Sequence, residues 1–496
     1  MRRTGFTRRS LLATGAGALG GPLLARTASS AAALAGWRQR RSSAYAAGSV
    51  AELALGHLGA GTHELKIAGG ASLVGVGWHA PRAPQIELRF RTPGGWSGWA
   101  PAGERGHGPD APAAGAPTVG EPIWTAGASE LQLRTSVALR GVSVHAVEVE
   151  RDPPGGSERA RAAALALAEP VLAAGPGQPP IIARQAWARG KCPPRVAPGY
   201  ASVELAFVHH TDNPNGYGAA EVPAMLRAIY LFHRYVRGWN DIGYNFVVDL
   251  YGRIFEARAG GIDEPVVGAQ AGGYNLYSSG AAVLGTFSER EISIAARRSL
   301  EALLSWKLSL HGAPTQGEVV VQVNPAGASY SRFPAGAQVS LPRIAGHREA
   351  DQTDCPGSAL YAQLPSIRAG AAAQAGKPVQ ATIALVNVPG AQAPPLLGEG
   401  AAAAGRYLFG TLTLLDGTPL AGAQVQIQAR SVALRGEAVS ESPLAQASTN
   451  EQGEWALPAA PAGAQPLQPL RALYAGTPGV GGYGAAVSEA VRAALA

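Results

Sequence analysis

The chain has 496 residues, 41 Lys and Arg against 34 Asp and Glu, a net charge of +7 and two cysteines. It is too long for one ordinary domain, and two cysteines are too few for a disulfide-rich scaffold. The excess charge would favour an anionic partner only if it lay in the folded part of the chain. Five arginines and no acidic residue lie within the first 35 residues, which leaves +2 for the remainder. We therefore predict no nucleic-acid partner.

Residues 1–35 have the pattern of an export signal. A twin arginine, Arg8-Arg9, precedes a mildly apolar stretch from Leu11 to Ala25 and the small-residue tripeptide Ala33-Leu34-Ala35. A membrane anchor is the alternative, but the stretch is glycine-rich and shorter than the roughly 20 apolar residues that span a bilayer. No later segment qualifies as transmembrane. We predict export by the twin-arginine route, to the extracellular space or cell wall, or to the periplasm of a Gram-negative cell.

Two stretches rich in Ala, Pro and Gly, 157–179 and 371–404, predict linkers. They divide the exported chain into residues 36–156, 180–370 and 405–496. The fold class predicted from these three parts is multidomain. A central α/β domain, with a mixed sheet flanked by helices, lies between two all-β, sandwich-like domains.

The first part alternates apolar and polar residues with period two, as in 85–91 and 142–149. This alternation is typical of half-buried strands and predicts a β-sandwich or jelly roll. The part also contains four tryptophans, which could stack on wall polysaccharide or pack in the core, as tryptophans of small β-domains more often do: Trp78, Trp96, Trp99 and Trp124.

The last part begins with a strand pattern, an Asp416-Gly417 turn and a second strand, followed by a turn around Gly453. This order predicts a small antiparallel sandwich. It resembles the carboxypeptidase regulatory-like domains, which are usually accessory. We interpret the part as a spacer or attachment module.

The central part changes to mixed α/β patterns. Predicted strands and helices alternate along it, and Ser288 with Glu291 forms a possible capping box for the second helix. The predicted elements are strand Leu205–Val208, helix Ala220–Arg237 closed by Gly238, strands Tyr244–Asp249 and Arg253–Glu256, strand Ala281–Phe287, and a helix from Ser288 through Leu310.

Three residues at the ends of these elements carry metal-binding atoms: His209, His347 and Cys355. Two imidazoles and one thiolate suit Zn²⁺, and three protein ligands leave a fourth position open, which is the catalytic arrangement. On spacing alone the alternatives are a buried structural cysteine, a surface histidine and a histidine that merely ends a strand.

Five stretches of the central part resemble the peptidoglycan recognition protein and type-2 N-acetylmuramoyl-L-alanine amidase family. The resemblance covers about 190 residues, and its motifs occur in the family's order. The stretches are Ile182–Trp187, Val208–Thr211, Gly238–Phe246, Val267–Asn275, and Gly346–Arg348 continued by Thr353–Gly357.

The resemblance implies that His209, His347 and Cys355 hold zinc and that Tyr244 and Thr353 take part in catalysis. The implied reaction is hydrolysis of the amide between N-acetylmuramic acid and L-alanine in peptidoglycan. The alternatives are a protein that binds peptidoglycan without cutting it, or a wall or polysaccharide adhesin with a vestigial amidase domain. No residue is identified as the general base.

The resemblance also places His233, Gln270 and Asn275 along the peptide groove as substrate contacts. Gln270 stands where the family commonly has histidine, and the Gly260–Glu264 connection is looser than usual. These departures leave open a preference for diaminopimelate or lysine in the stem peptide. His210 should point away from His209 because neighbouring strand residues face opposite sides. Its expected role is packing or support of a ligand.

Two further expectations concern the rest of the central part. Residues 317–341 should form an inserted hairpin over one rim of the groove. Because Cys355 is needed as a thiolate, no disulfide with Cys192 is expected.

Overall fold

The computed structural model describes the chain in segments: residues 37–40, 47–79, 85–103, 107, 118–150, 177–388, 405–429, 443–458, 469–477, 485–488 and 491–492. The predicted export signal, 1–35, and nearly all of the predicted linker 157–179 lie outside these residues. Within them, no helix has the length and apolar character needed to cross a bilayer.

The first part forms one antiparallel sheet of nine strands. Its main path runs β1-β2-β9-β3-β8-β4-β5, with β6 paired to β4 and β7 to β3. The strands are β1 Trp37–Arg40, β2 Gly48–Leu58, β3 Gly61–His79, β4 Ile86–Thr92, β5 Gly95–Trp96, β6 Ala100–Pro101, β7 Thr118–Val119, β8 Ile123–Thr135 and β9 Leu139–Val149.

The four tryptophans of this part pack against protein. Trp78 and Trp124 are buried. Trp96 and Trp99 are half-buried, and the Arg89 guanidinium lies 5.2 and 4.5 Å from their ring centroids. The contacts therefore favour the packing interpretation, with cation–π pairs in place of a free stacking face.

The central part contains a six-stranded mixed sheet of order β10-β13-β12-β14-β11-β17. All its neighbouring strands are parallel except β12 and β13. The strands are β10 Ile181–Ile182, β11 Leu205–His210, β12 Phe246–Val248, β13 Ile254–Glu256, β14 Ser278–Val283 and β17 Ile344–Gly346.

Four α-helices accompany this sheet, and the second continues as a π-helical turn, Phe232–Val236, before Gly238 turns the chain at φ +71°. Their apolar faces pack in two clusters with the sheet. The helices are α1 Arg184–Ala188, α2 Val222–Leu231, α3 Ile294–Leu310 and α4 Ser358–Gln374. The central part thus has the predicted mixed sheet flanked by helices.

Two of the boundaries that differ from the sequence analysis have a clear local cause. Helix α3 begins at Ile294, and its N-cap is Ser293, whose side chain accepts a hydrogen bond from the Ala296 amide at 3.0 Å. The capping box expected from Ser288 and Glu291 was wrong because a better-placed serine follows. Strand β14 ends at Val283 rather than Phe287 because Gly285, at φ +134°, turns the chain.

The inserted hairpin is present. Strands β15 (Glu318–Gln322) and β16 (Gln338–Pro342) pair antiparallel. Their inward side chains share a cluster with Phe207 and Tyr274. The Tyr274 hydroxyl also lies 2.7 Å from that of Ser331, between the two strands. The hairpin is therefore packed onto the central part.

The last part has two antiparallel sheets, β18-β20-β19 with β23 on β20, and β22-β21-β24-β25 with β26 on β24. One apolar cluster includes residues of both, among them Trp455 and Ile427. The strands are β18 Val379–Ala381, β19 Ala384–Val388, β20 Gly405–Leu414, β21 Gln424–Ala429, β22 Pro443–Ser448, β23 Glu454–Pro458, β24 Pro469–Tyr474, β25 Ala486–Val487 and β26 Val491–Arg492.

This arrangement corrects the predicted linker 371–404. Helix α4 runs to Gln374, and β18 and β19 both pair with β20. The alanine-rich composition of this stretch gave no strand pattern. The two strands still form because backbone hydrogen bonds to β20 do not depend on side-chain type. Only 389–404, outside the described residues, remains as a predicted linker.

Candidate metal centre

Parallel strands bring two of the predicted ligands to the same edge of the central sheet. His209 lies near the end of β11, and His347 directly follows β17, the parallel neighbour of β11. Cys355 lies in the loop before α4, where its sulfur accepts a hydrogen bond from the His210 amide at 3.4 Å. All three side chains are fully buried. The structure thus brings together the three ligands that the motifs predicted.

A fourth residue joins them from another part of the chain. His107, between β6 and β7, is 5% exposed, and its Nε2 lies 3.2 Å from His209 Nδ1. One ligand atom from each of His107, His209, His347 and Cys355 lies within 4.8 Å of the other three. We call these four residues the His3Cys cluster. The sequence analysis did not identify His107.

The hydrogen bonds of each ring select the nitrogen that faces the cluster. His209 Nε2 lies 2.5 Å from Gln270 Oε1, and His347 Nε2 lies 2.8 Å from Asp351 Oδ2. With those nitrogens donating to oxygen, each ring keeps Nδ1 as a free ligand atom. The Nδ1 of His347 is buried, and the structure gives it no hydrogen-bond partner among the described residues. Histidines that bind metals have this arrangement, with the second nitrogen held by an oxygen.

Two distances within the cluster match those of a tetrahedral zinc site. With Zn–N near 2.0–2.1 Å and Zn–S near 2.3 Å, two tetrahedral nitrogens lie about 3.4 Å apart, and a nitrogen and a sulfur about 3.6 Å apart. The distance from His209 Nδ1 to His107 Nε2 is 3.2 Å, and from His209 Nδ1 to Cys355 Sγ it is 3.6 Å. The donor set and these distances therefore fit zinc.

Burial fixes the protonation of the ligands. It lowers the pKa of His209 and of His347 well below the usual value of histidine, and neighbouring imidazoles lower each further. Both rings are therefore neutral, the form that binds metals. Burial raises the pKa of the Cys355 thiol well above its usual value, although the His210 amide opposes this. A cation is then needed to hold Cys355 as a thiolate.

The predicted catalytic residues lie beside the cluster. The Tyr244 ring centroid is 5.5 Å from that of His209, and burial raises the pKa of its phenol well above the usual value. Tyr244 is thus a hydrogen-bond donor at neutral pH. The Thr353 hydroxyl accepts a hydrogen bond from the Cys355 amide at 3.1 Å, so it fixes the loop that carries the cysteine.

The three predicted substrate contacts are all buried and take part in the scaffold. His233 Nδ1 accepts a hydrogen bond from the Gly243 amide at 3.1 Å, and Asn275 Oδ1 accepts one from the Gln270 amide at 2.8 Å. Gln270 holds His209 and donates to Ser278 Oγ at 2.9 Å. The geometry assigns these residues to positioning the cluster. Their role in substrate contact stays a prediction.

His210 behaves as expected from strand alternation. Its Nδ1 accepts a hydrogen bond from the Phe287 amide at 3.2 Å, and its own amide donates to Cys355. It therefore supports the ligand loop. Cys192 and Cys355 are both buried, free cysteines in this structure.

Comparison with known proteins finds similarity over the central part. Residues 199–358 match the Amidase_2 family, described as N-acetylmuramoyl-L-alanine amidase. A human N-acetylmuramoyl-L-alanine amidase is 29% identical over 37% of this chain. The match spans only 28% of the length of that relative. Peptidoglycan-recognition protein SC2 of Drosophila simulans is 26% identical over 33% of this chain and 72% of its own.

Among solved structures, that of Drosophila peptidoglycan recognition protein SD has 23% identity and a TM-score of 0.29, and covers 37% of this chain and 92% of the matched one. The family match spans four of the five motifs, and these contribute His209, His347 and Cys355 to the cluster. The central part of this chain is thus similar to the N-acetylmuramoyl-L-alanine amidases and peptidoglycan recognition proteins.

Proposed function

We propose that the central domain hydrolyses the amide between N-acetylmuramic acid and L-alanine in bacterial peptidoglycan, with zinc as cofactor, after export of the protein by the twin-arginine route. The observation that carries this proposal is the convergence of His209, His347 and Cys355 with Tyr244 at one edge of the sheet. The thiol and the two oriented imidazoles offer ligands for zinc, and the protonated phenol offers a hydrogen-bond donor for this reaction.

The chain's own residues supply orientation and a hydrogen-bond donor. Zinc, when bound, supplies Lewis acidity at neutral pH. Gln270 and Asp351 hold the ligand rings, and Thr353 holds the cysteine loop. The Tyr244 hydroxyl is the donor for the negative charge that develops on the carbonyl oxygen. Such donors contribute most when they are oriented before the reaction begins.

Recognition of peptidoglycan without cleavage is the second candidate. The burial of the cluster favours it, since all four side chains of the His3Cys cluster and that of Tyr244 are at most 5% exposed. An enzyme must admit its substrate to these groups. The test must therefore include a form of the protein in which the cluster is uncovered, and His107→Ala removes the covering side chain. Contact of the terminal domains with wall polysaccharide stays a prediction.

The test measures release of stem peptides from purified peptidoglycan. Zinc-loaded protein, both wild type and His107→Ala, is incubated with the walls, and new L-alanine amino termini are quantified and confirmed by mass spectrometry. We expect release that a chelator abolishes and added zinc restores. In the His107→Ala background, Tyr244→Phe should lower the rate by about 10²–10³-fold, the usual cost of one lost oxyanion donor.

Tyr251→Phe is the matched control because Tyr251 is 48% exposed. It should leave the rate unchanged. Binding to the walls without release by either zinc-loaded form would overturn the hydrolase proposal in favour of recognition alone.

A further inference from the structure

His107 reaches the cluster from the N-terminal sheet and is held there on two sides. Its Nδ1 lies 2.6 Å from Glu121 Oε1, and its carbonyl oxygen accepts a hydrogen bond from Arg237 Nη1 at 3.1 Å. Arg237 Nη2 also donates to Glu121 at 2.8 Å. Glu121 belongs to the N-terminal sheet region, and Arg237 follows the π-helical turn after α2. The position of His107 is therefore fixed by both domains.

The surface around this contact is packed as a protein core. Leu73 and Val147 of the N-terminal sheet share one buried cluster with Met225 of α2. Gly75 of β3 approaches so closely that a Cβ there would lie 2.3 Å from the Phe232 ring. The Trp124 amide donates to Asn213 Oδ1 at 2.8 Å. An interface of this kind holds two domains in one relative position.

An ordinary hydrogen bond explains the approach of His107 to His209 poorly. Glu121 Oε1 already accepts a hydrogen bond from Arg237 Nη2 at 2.8 Å and lies 2.6 Å from His107 Nδ1. The carboxylate therefore accepts from His107 Nδ1. A bond to His209 Nδ1 would require a second proton, on His107 Nε2. A positively charged ring would then face two other imidazoles. A shared cation accounts for the same contacts with neutral rings.

We propose that His107 is a fourth protein ligand of the zinc, so that the N-terminal domain closes the metal site of the central domain. This rests on the proposed function only in that the same cluster binds zinc. Four protein ligands are the arrangement of a structural site, whereas a catalytic site keeps one position open. In this conformation no coordination position remains for substrate. Withdrawal of His107 is the event that opens the site.

The first measurement is zinc affinity, obtained by competition with a chromophoric chelator. His107→Ala should bind zinc at least about tenfold more weakly than wild type, since even loss of a residue that only supports a ligand costs about 10–100-fold. The matched control is His57→Ala, an exposed histidine of the same domain, which should not change the affinity. An unchanged affinity in His107→Ala would contradict the proposal.

The second measurement is the visible spectrum of the cobalt-substituted protein during titration with thiocyanate, a small anion that occupies an open coordination position. The wild-type and His57→Ala spectra should not respond, because all four positions are filled. The His107→Ala spectrum should shift on addition of the anion. A shift of equal size in wild type would overturn the proposal.

His107→Phe keeps the ring volume and serves if the alanine variant does not fold. Without a ligand nitrogen at 107, its cobalt spectrum must differ from that of wild type before any anion is added. An identical spectrum would overturn the proposal. These measurements need no catalysis, so a zinc-binding protein that fails to cleave peptidoglycan contradicts the proposed function alone. A wild-type chain that binds neither metal contradicts both proposals.

Discussion

The two terminal domains contact the central domain in different ways. The N-terminal sheet packs its apolar residues against α2 and places His107 in the His3Cys cluster. The C-terminal domain uses a charged contact, in which the fully buried Arg471 pairs with Glu264 at 3.1 Å and with Asp263. Leu473 and Ala485 add apolar contacts beside α3.

The N-terminal and C-terminal domains therefore have different roles. A domain that supplies a side chain to the metal site changes the site whenever it moves. A domain attached by a buried ion network contributes to stability, because each charge would be costly to bury without its partner. We therefore expect changes at the N-terminal interface to appear in metal binding and activity, and changes at the C-terminal interface to appear in stability.

Loss of the cysteine ligand should have the largest effect. Cys355→Ser should reduce zinc from about one per chain to a small fraction after dialysis, because a serine hydroxyl replaces the thiolate ligand. Metal analysis by mass spectrometry measures this. Cys192→Ser is the matched control, since Cys192 is equally buried but outside the cluster. Equal zinc loss in both variants would show that the cluster is not the site.

Breaking the C-terminal ion network should have the next largest effect. Arg471→Leu leaves Asp263 and Glu264 buried without their cation, which should cost about 3–5 kcal/mol in the free energy of unfolding. Denaturant unfolding measures this, with the exposed Arg290→Leu as control. Zinc affinity should not change. A fall in zinc affinity would remove the distinction between the two interfaces.

Removing the support of one ligand should have a smaller effect on the metal. Asp351→Asn replaces the carboxylate that holds His347 Nε2, and zinc affinity should fall by about 10–100-fold. Chelator competition measures this, and the exposed Asp416→Asn should match wild type. An unchanged affinity in Asp351→Asn would mean that His347 is not oriented through this contact.

The last prediction concerns a pH dependence at the C-terminal interface. Burial lowers the pKa of Lys307 to about 7, although Asp263 and Glu264 oppose it, while Arg471 adds to the lowering. The amine also donates to backbone carbonyls of 262 and 264 at 2.8 Å, and the half-buried His311 is a further neighbouring base whose pKa burial and Lys307 lower.

Because the folded-state pKa is depressed, the unfolded chain binds more protons between about pH 7 and 10.5, and stability rises with pH over that window. Lys307→Met should lack this rise. Unfolding free energies of both proteins at several pH values provide the test, and parallel curves would contradict it.

The motifs predicted much of the site because each predicted site residue lies within a recognisable local sequence pattern. His209, His347, Cys355 and Tyr244 each lie in a stretch with its own strand-end or loop pattern, and the structure brings them together. The pattern of apolar residues likewise predicted the central strands and helices. The start of α3 was missed because capping depends on which serine reaches a free amide, and Ser293 does.

His107 could not be predicted in the same way. It lies outside any periodic segment, in a different domain, 102 residues before His209. Its role arises from how two domains pack, and local patterns do not encode that packing. Gln270 was assigned to the groove because it stands where the family commonly has histidine. The sequence does not show that its side-chain oxygen contacts His209 Nε2.

Closure of the metal site by the N-terminal domain is tested by comparing stem-peptide release by zinc-saturated wild type and zinc-saturated His107→Ala. We expect the variant, whose fourth coordination position is open, to release stem peptides faster than wild type, and His57→Ala to match wild type. Release by wild type at a rate equal to or above that of His107→Ala would contradict the claim that the N-terminal domain closes the site.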